Sequence, residues 1–122
     1  MRNLKLAAVA VIATTAALSM PAFAGNTLDA IKARDAVACG VNIGLAGFSA
    51  ADSKGEWTGL DVDICRAVAA ATLGDPTKVK FVPLNAQQRF TALQSGEIDM
   101  LSRNTTFTMS RDASLGLHAT GV

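Results

Sequence analysis

Between residues 27 and 101 the apolar positions switch repeatedly between a helical and a strand period. Thr27–Arg34 places Leu28 and Ile31 at helical spacing and predicts a short helix. "AVACGVN" (36–42) is a compact apolar run that predicts a strand. "IGLAGFSAADSKGEWTG" (43–59) is rich in Gly, Ser and Asp, which predicts a loop with a small hairpin around Lys54 and Gly55. Helical character returns in "VDICRAVAAATL" (62–73), with Asp61 expected as the N-cap and Gly74 with Pro76 as the stop. "KVKFVPL" (78–84) alternates as a strand does. Asn85-Ala86-Gln87-Gln88 then has the form of a capping box opening a helix over 86–95, which Gly96 ends. "IDML" (98–101) completes the series as a third strand, and Trp57 is expected to serve packing.

Strands alternating with helices across short connections predict an α/β fold with a parallel sheet. In such sheets ligands bind outside the carboxyl ends of the strands. The unusual residues of this chain gather there, above all in "DMLSRNTTFTMSRD" (99–112). Arg103 and Arg111, with Asn104, Thr105 and Thr106, suit a small anion such as a carboxylate, which arginine grips in two-pronged fashion.

The first residues read differently. Arg2 and Lys5 precede "LAAVAVIATTAAL" (6–18), followed by Pro21 and the small-residue site Ala22-Phe23-Ala24. This is the form of a cleavable signal peptide over 1–24, and its 13-residue run falls short of the roughly 20 residues a spanning helix needs. Cleavage would remove two of the 11 basic residues and no acidic one, leaving nine against ten. Residues 25–122 then carry a net charge of −1, with no basic surplus to attract nucleic acid. They amount to one small domain, marginal in the surface it can bury.

Two cysteines, Cys39 in the first strand and Cys65 in the following helix, would meet an oxidising compartment after export. They are either bridged or two buried thiols packing as small hydrophobes. We favour the bridge, whose 26-residue loop is worth about 3–4 kcal/mol in the chain-entropy model.

Catalytic patterns are thin. One histidine, His118, leaves little for a Ser-His-Asp site, and the nucleophile elbow is absent. No cysteine or histidine spacing fits zinc, so neither metal nor cofactor is expected. Asp61 and Asp63 are expected to cap the helix and complement its dipole rather than act as a carboxylate pair. Gly40, Gly44 and Gly47 lack the spacing of a nucleotide-binding turn.

Longer stretches are more specific. "CGVNIGLAGFS", "GEWTGLDVDICRAVAAA", "FVPLNAQQRFTALQSGEIDMLSRNTT" and "SRDASLGL" closely resemble the start of periplasmic amino-acid-binding proteins of ABC transporters. The similarity is greatest to the receptors for general L-amino acids and for glutamate, glutamine, aspartate and asparagine. The resemblance covers about residues 27–122, and the run from Phe81 to Thr106 is its most specific part.

It implies a lobe of the type II periplasmic-binding-protein fold, closing on a free L-amino acid by a hinge and delivering it to permease subunits in the membrane. It also implies that Arg111 grips the ligand α-carboxylate, assisted by Thr106, and that the backbone carbonyl of Asn104 faces the α-ammonium group. Arg89, in the "QQR" turn, would reach an acidic side chain. Leu45 and Ala86 stand where relatives with cationic ligands place aromatic residues, which argues against a lysine or arginine specialist.

Family members continue into a second lobe and return to the first. Residues 25–122 are therefore expected to form the N-terminal part of the first lobe, an incomplete unit with weak binding and a tendency to self-associate. Two other classes stay open: a periplasmic enzyme of the same fold, dehydratase-like, and a lobe that acts through protein interaction without ligand.

Overall fold

The computed structural model describes residues 25–120. The signal peptide expected over 1–24 lies outside them. The elements run α1 (Gly25–Arg34), β1 (Val37–Asn42), β2 (Ala50–Ala51), β3 (Trp57–Thr58), α2 (Leu60–Leu73), β4 (Val79–Leu84), α3 (Gln88–Gln94), β5 (Met100–Leu101) and α4 (Met109–Leu115). Three strands form a parallel sheet in the order β4-β1-β5. β2 and β3 pair as an antiparallel hairpin.

The continuous apolar run made β1 the central strand, buried from Val37 to Val41. Its alternate residues feed two cores. Cys39 and Val41 meet Cys65, while Val37 meets Ile31 and Ala69, so α1 and α2 cover one face. Val62, Cys65 and Ala69, all fully buried, form the helical stripe that α2 turns to the sheet. Cys39 and Cys65 are joined by a disulfide there. Trp57 packs on this core with its ring 6.0 Å from that of Phe81.

On the other face Leu84, Ala92 and Ile98 pack together under α3. Gly40 faces them, and a Cβ at that position would lie 2.6 Å from Ile98 Cδ1, so any larger residue would have to displace the Ile98 side chain. Pro83 costs the sheet little because β4 is an edge strand.

Local signals are largely realised. The hairpin turns at Lys54 and Gly55, where Asp52 Oδ1 accepts from the amides of Lys54 (2.8 Å) and Glu56 (2.9 Å). The capping box is reciprocal: Asn85 Oδ1 accepts from the amides of Gln87 and Gln88, and Gln88 Oε1 accepts from Asn85 N–H.

One expectation is corrected. The N-cap of α2 is Gly59, with φ 122°, and Asp61 lies inside the helix as its second residue. The chain passes so close to the Phe48 carbonyl that a Cβ at position 59 would collide with it, and Asp61 N–H donates to that carbonyl at 2.9 Å. α4 is an addition to the predicted elements. Thr108 caps it and Gly116 ends it with φ 62°.

Candidate anion cradle at the carboxyl ends of the strands

β1, β4 and β5 end at Asn42, Leu84 and Leu101, on one side of the sheet. Arg103 ties these ends together. Its Nη1 donates to the Leu84 carbonyl at 2.6 Å and its Nη2 to Asn104 Oδ1 at 3.2 Å. The same Asn104 oxygen accepts from Asn42 Nδ2 at 2.8 Å. Arg89, from the first turn of α3, donates through Nη1 to the Asn104 carbonyl at 3.0 Å and to Thr105 Oγ1 at 3.1 Å. Arg111, in the first turn of α4, donates to the Thr106 carbonyl. Its backbone amide is held by the Thr108 cap at 3.3 Å.

Two of these cations lie over the Phe90 ring. The ring centroid lies 4.7 Å from Arg89 Cζ and 5.0 Å from Arg111 Cζ, within reach of a cation–π attraction. The resulting network links Arg89 to Arg103 through Asn104 and to Arg111 through the Phe90 ring.

Their electrostatics are unbalanced. Burial lowers the pKa of Arg89, and repulsion from Arg103 and then Arg111 lowers it further. Burial also lowers that of Arg103, against which the Asp61 carboxylate acts. All three remain charged at any physiological pH. None forms a direct ion pair among the described residues. The Nε atoms of Arg89 and Arg103 are buried without a protein acceptor. A small carboxylate is the complement of such a donor set, because it neutralises charge and accepts paired N–H bonds.

Arg89, Arg103, Asn104, Thr106 and Arg111, singled out from the sequence, thus fall in one network. Leu45 belongs to a neighbouring loop, where its amide and carbonyl pair with Ser49; none of its hydrogen bonds joins the arginines. The Asn104 carbonyl already accepts from Arg89, which leaves it one lone pair.

Three participants escaped sequence reasoning: Asn42, Phe90 and Asp61. Phe90 had a usable signal, since it directly follows Arg89 and aromatic rings pack on guanidinium planes. A concavity of about 700 Å³ opens at the opposite, amino end of the sheet, beside Arg34, Gln94, Asp99, Leu115 and His118. Its charged lining is already paired, Arg34 with Asp99, so the carboxyl end remains the candidate site.

The profile of the bacterial extracellular solute-binding proteins, family 3, matches residues 37–118. The chain belongs to that family. Its described residues have the fold of part of a lobe of the type II periplasmic binding proteins.

Over 118 residues, 97% of this chain and 34% of the relative, it is 56% identical to the general L-amino acid-binding periplasmic protein AapJ of Rhizobium johnstonii. Over 102 residues, 84% of this chain and 30% of the relative, it is 57% identical to the glutamate/glutamine/aspartate/asparagine-binding protein BztA of Rhodobacter capsulatus. Among solved structures, an ABC transporter periplasmic binding protein from Brucella ovis with glutathione bound is 67% identical, with a TM-score of 0.73. That match covers 74% of this chain and 28% of the Brucella chain. The chain therefore spans about a third of the length of the curated relatives it matches.

Proposed function

We propose that residues 25–122 supply the carboxylate-gripping face of a periplasmic receptor that takes free L-amino acids and delivers them to the permease subunits of an ABC transporter. One observation carries this reading: Arg89, Arg103 and Arg111 gather in the segment after the strand ends with no direct ion-pair partner among the described residues. The names borne by AapJ and BztA support amino-acid ligands with acidic and amide side chains in range. The glutathione of the Brucella structure adds a ligand class with a free α-amino-carboxylate and a second carboxylate.

In this reading Arg111 and Thr106 hold the α-carboxylate, the Asn104 carbonyl faces the α-ammonium group, and Arg89 lies toward the ligand side chain. Arg103 adds charge while bracing the strand ends, and Leu45 borders the crevice. The residues present form one face, so their own affinity is weak, on the order of millimolar, about −4 kcal/mol. Signal-peptide cleavage after Ala24 belongs to the same reading, as does a periplasmic location.

A dehydratase-like enzyme would need an acid or base facing the substrate, and among the described residues the carboxylate that acts on Arg103, Asp61, is buried. A second reading draws on Ile43, Phe107 and Met109, which are apolar and exposed. It makes this lobe a protein-docking or self-associating unit.

Calorimetric titration of the purified protein with glutamate, glutamine, aspartate and asparagine, alongside light scattering, tests the first reading. Saturable millimolar binding supports it. Micromolar binding by a monomer would show that one face suffices, and no heat up to about 50 mM, some −2 kcal/mol of affinity, would remove it.

A further inference from the structure

Asp61 is out of place for a helix-capping carboxylate. It is 7% exposed, whereas Asp63, two residues on in α2, is exposed and pairs with Arg66 at 3.2 Å. Capping does not explain Asp61, because Gly59 occupies that position. Its Oδ2 is buried without a hydrogen-bond donor. A carboxylate in that state persists only where a nearby positive charge offsets its lost hydration.

Arg103 has the complementary deficit. Its guanidinium is fixed by the Leu84 carbonyl and by Asn104 Oδ1, and its Nε is buried without an acceptor. The carboxylates at the other end of the sheet have direct partners of their own, Asp99 with Arg34 and Asp35 with Lys78. Asp61 has none among the described residues, but it lies at the same end of β1 as Arg103: its N–H donates to the Phe48 carbonyl, the adjacent Ser49 Oγ accepts from Asn42 N–H, and Asn42 shares Asn104 Oδ1 with Arg103. There the attraction of Arg103 works against the burial that raises the Asp61 pKa.

We propose that Asp61 is the counter-charge of the arginine cradle, a positioning residue that holds Arg103 across the strand ends and moderates the preference for anionic ligand side chains. The ligand half of this inference rests on the receptor reading above; the Asp61–Arg103 half does not. Three guanidinium charges less one carboxylate leave +2 in the cradle. Asp61→Asn preserves shape and hydrogen-bonding size but raises that charge to +3. A glutamate side chain then gains attraction that a glutamine side chain does not. Asp61 thereby keeps acidic and amide ligands within one affinity range.

Two measurements on the purified protein test this. The first needs no ligand: a carbon-detected NMR titration of the Asp61 carboxyl. Arg103→Gln should move its midpoint upward by about half a pH unit or more, and Arg103→Lys should move it less, because lysine keeps the charge. An unchanged midpoint in Arg103→Gln would overturn the pairing even if Asp61→Asn does not fold.

The second measurement is the ratio of dissociation constants for glutamine and glutamate. Asp61→Asn should shift this ratio toward glutamate by about threefold or more, and adding Arg103→Gln should return it toward the parent value. A merely structural Asp61 would change both affinities alike, which overturns the specificity role. If neither amino acid binds the parent protein, the receptor reading fails by itself and inorganic sulfate becomes the probe. Tighter sulfate binding by Asp61→Asn then supports the counter-charge, and unchanged sulfate binding overturns it.

Discussion

The two ends of the sheet hold similar residues in opposite electrostatic states. At the amino end charges are closed into pairs. Asp99 accepts from Ala38 N–H at 2.7 Å and pairs with Arg34, while Lys78 and Asp35 meet at 2.8 Å. At the carboxyl end Arg89, Arg103 and Arg111 donate to backbone carbonyls and side-chain oxygens, with Asp61 as a counter-charge that touches none of them. Carbonyl partners fix a guanidinium in place without cancelling its charge. Paired ends hold a fold together; an end left positive is prepared for an anion.

Breaking the paired end should have the largest effect. The Asp99 side chain is 8% exposed and replaces a ladder partner for β1. Asp99→Ala strands the Ala38 amide and should cost about 2–3 kcal/mol in urea unfolding. An unfolding midpoint equal to the parent's would show that the amino-end pair is ornamental.

Next in size is the open end itself. Arg111→Lys keeps the charge but loses the planar, two-pronged contact, and should weaken amino-acid binding about tenfold or more without shifting the unfolding midpoint comparably. Unchanged calorimetric affinity would take Arg111 out of the carboxylate grip. Arg89→Ala should act more selectively, weakening glutamate about threefold more than glutamine through lost charge. Equal losses would confine Arg89 to bracing the Asn104 carbonyl and Thr105.

How much of this contrast was legible in the sequence follows from which interactions are local. The helix over 62–73, the Asn85–Gln88 capping box and the Lys54–Gly55 hairpin depend on neighbours within a few residues, and they could be read directly. The clustering of polar donors after "IDML" was likewise visible, because strand ends in parallel sheets collect ligand groups.

The expectation that Asp61 caps α2 fails for a physical reason. A Gly-Leu-Asp start offers two candidate caps, and the decision came from Phe48, 13 residues earlier, whose carbonyl crowds position 59. α4 carries no periodic signal although Thr108 and Gly116 bracket it, since its seven residues bury no stripe. Arg34 with Asp99, 65 residues apart, had no local signature at all.

The smallest effect sharpens the comparison through acid. Asp61, at the open end, has its pKa raised above 3.8 by burial, which the attraction of Arg103 partly offsets. Asp75, in the turn leading to the amino end of β4, has its pKa lowered below 3.8, first by the Thr77 hydroxyl and then by the Thr77 amide. The two therefore contribute with opposite signs. For Asp61 the folded state holds the proton more tightly than the unfolded chain, so its contribution is fully present below pH 3.8 and is lost as pH rises through the raised value. For Asp75 the unfolded chain holds the proton more tightly, so its contribution is present above pH 3.8 and is lost as pH falls through the lowered value. Asp75→Asn should flatten the loss of stability on acidification below that point. Asp61→Asn should instead steepen the loss on the approach to it from neutral pH, because a compensating gain has been removed. Urea midpoints measured from pH 6 down to pH 3 for the parent and both variants decide the matter. Parallel curves for Asp61→Asn and the parent would mean that the open end titrates as bulk water does, and the electrostatic contrast between the two ends would be gone.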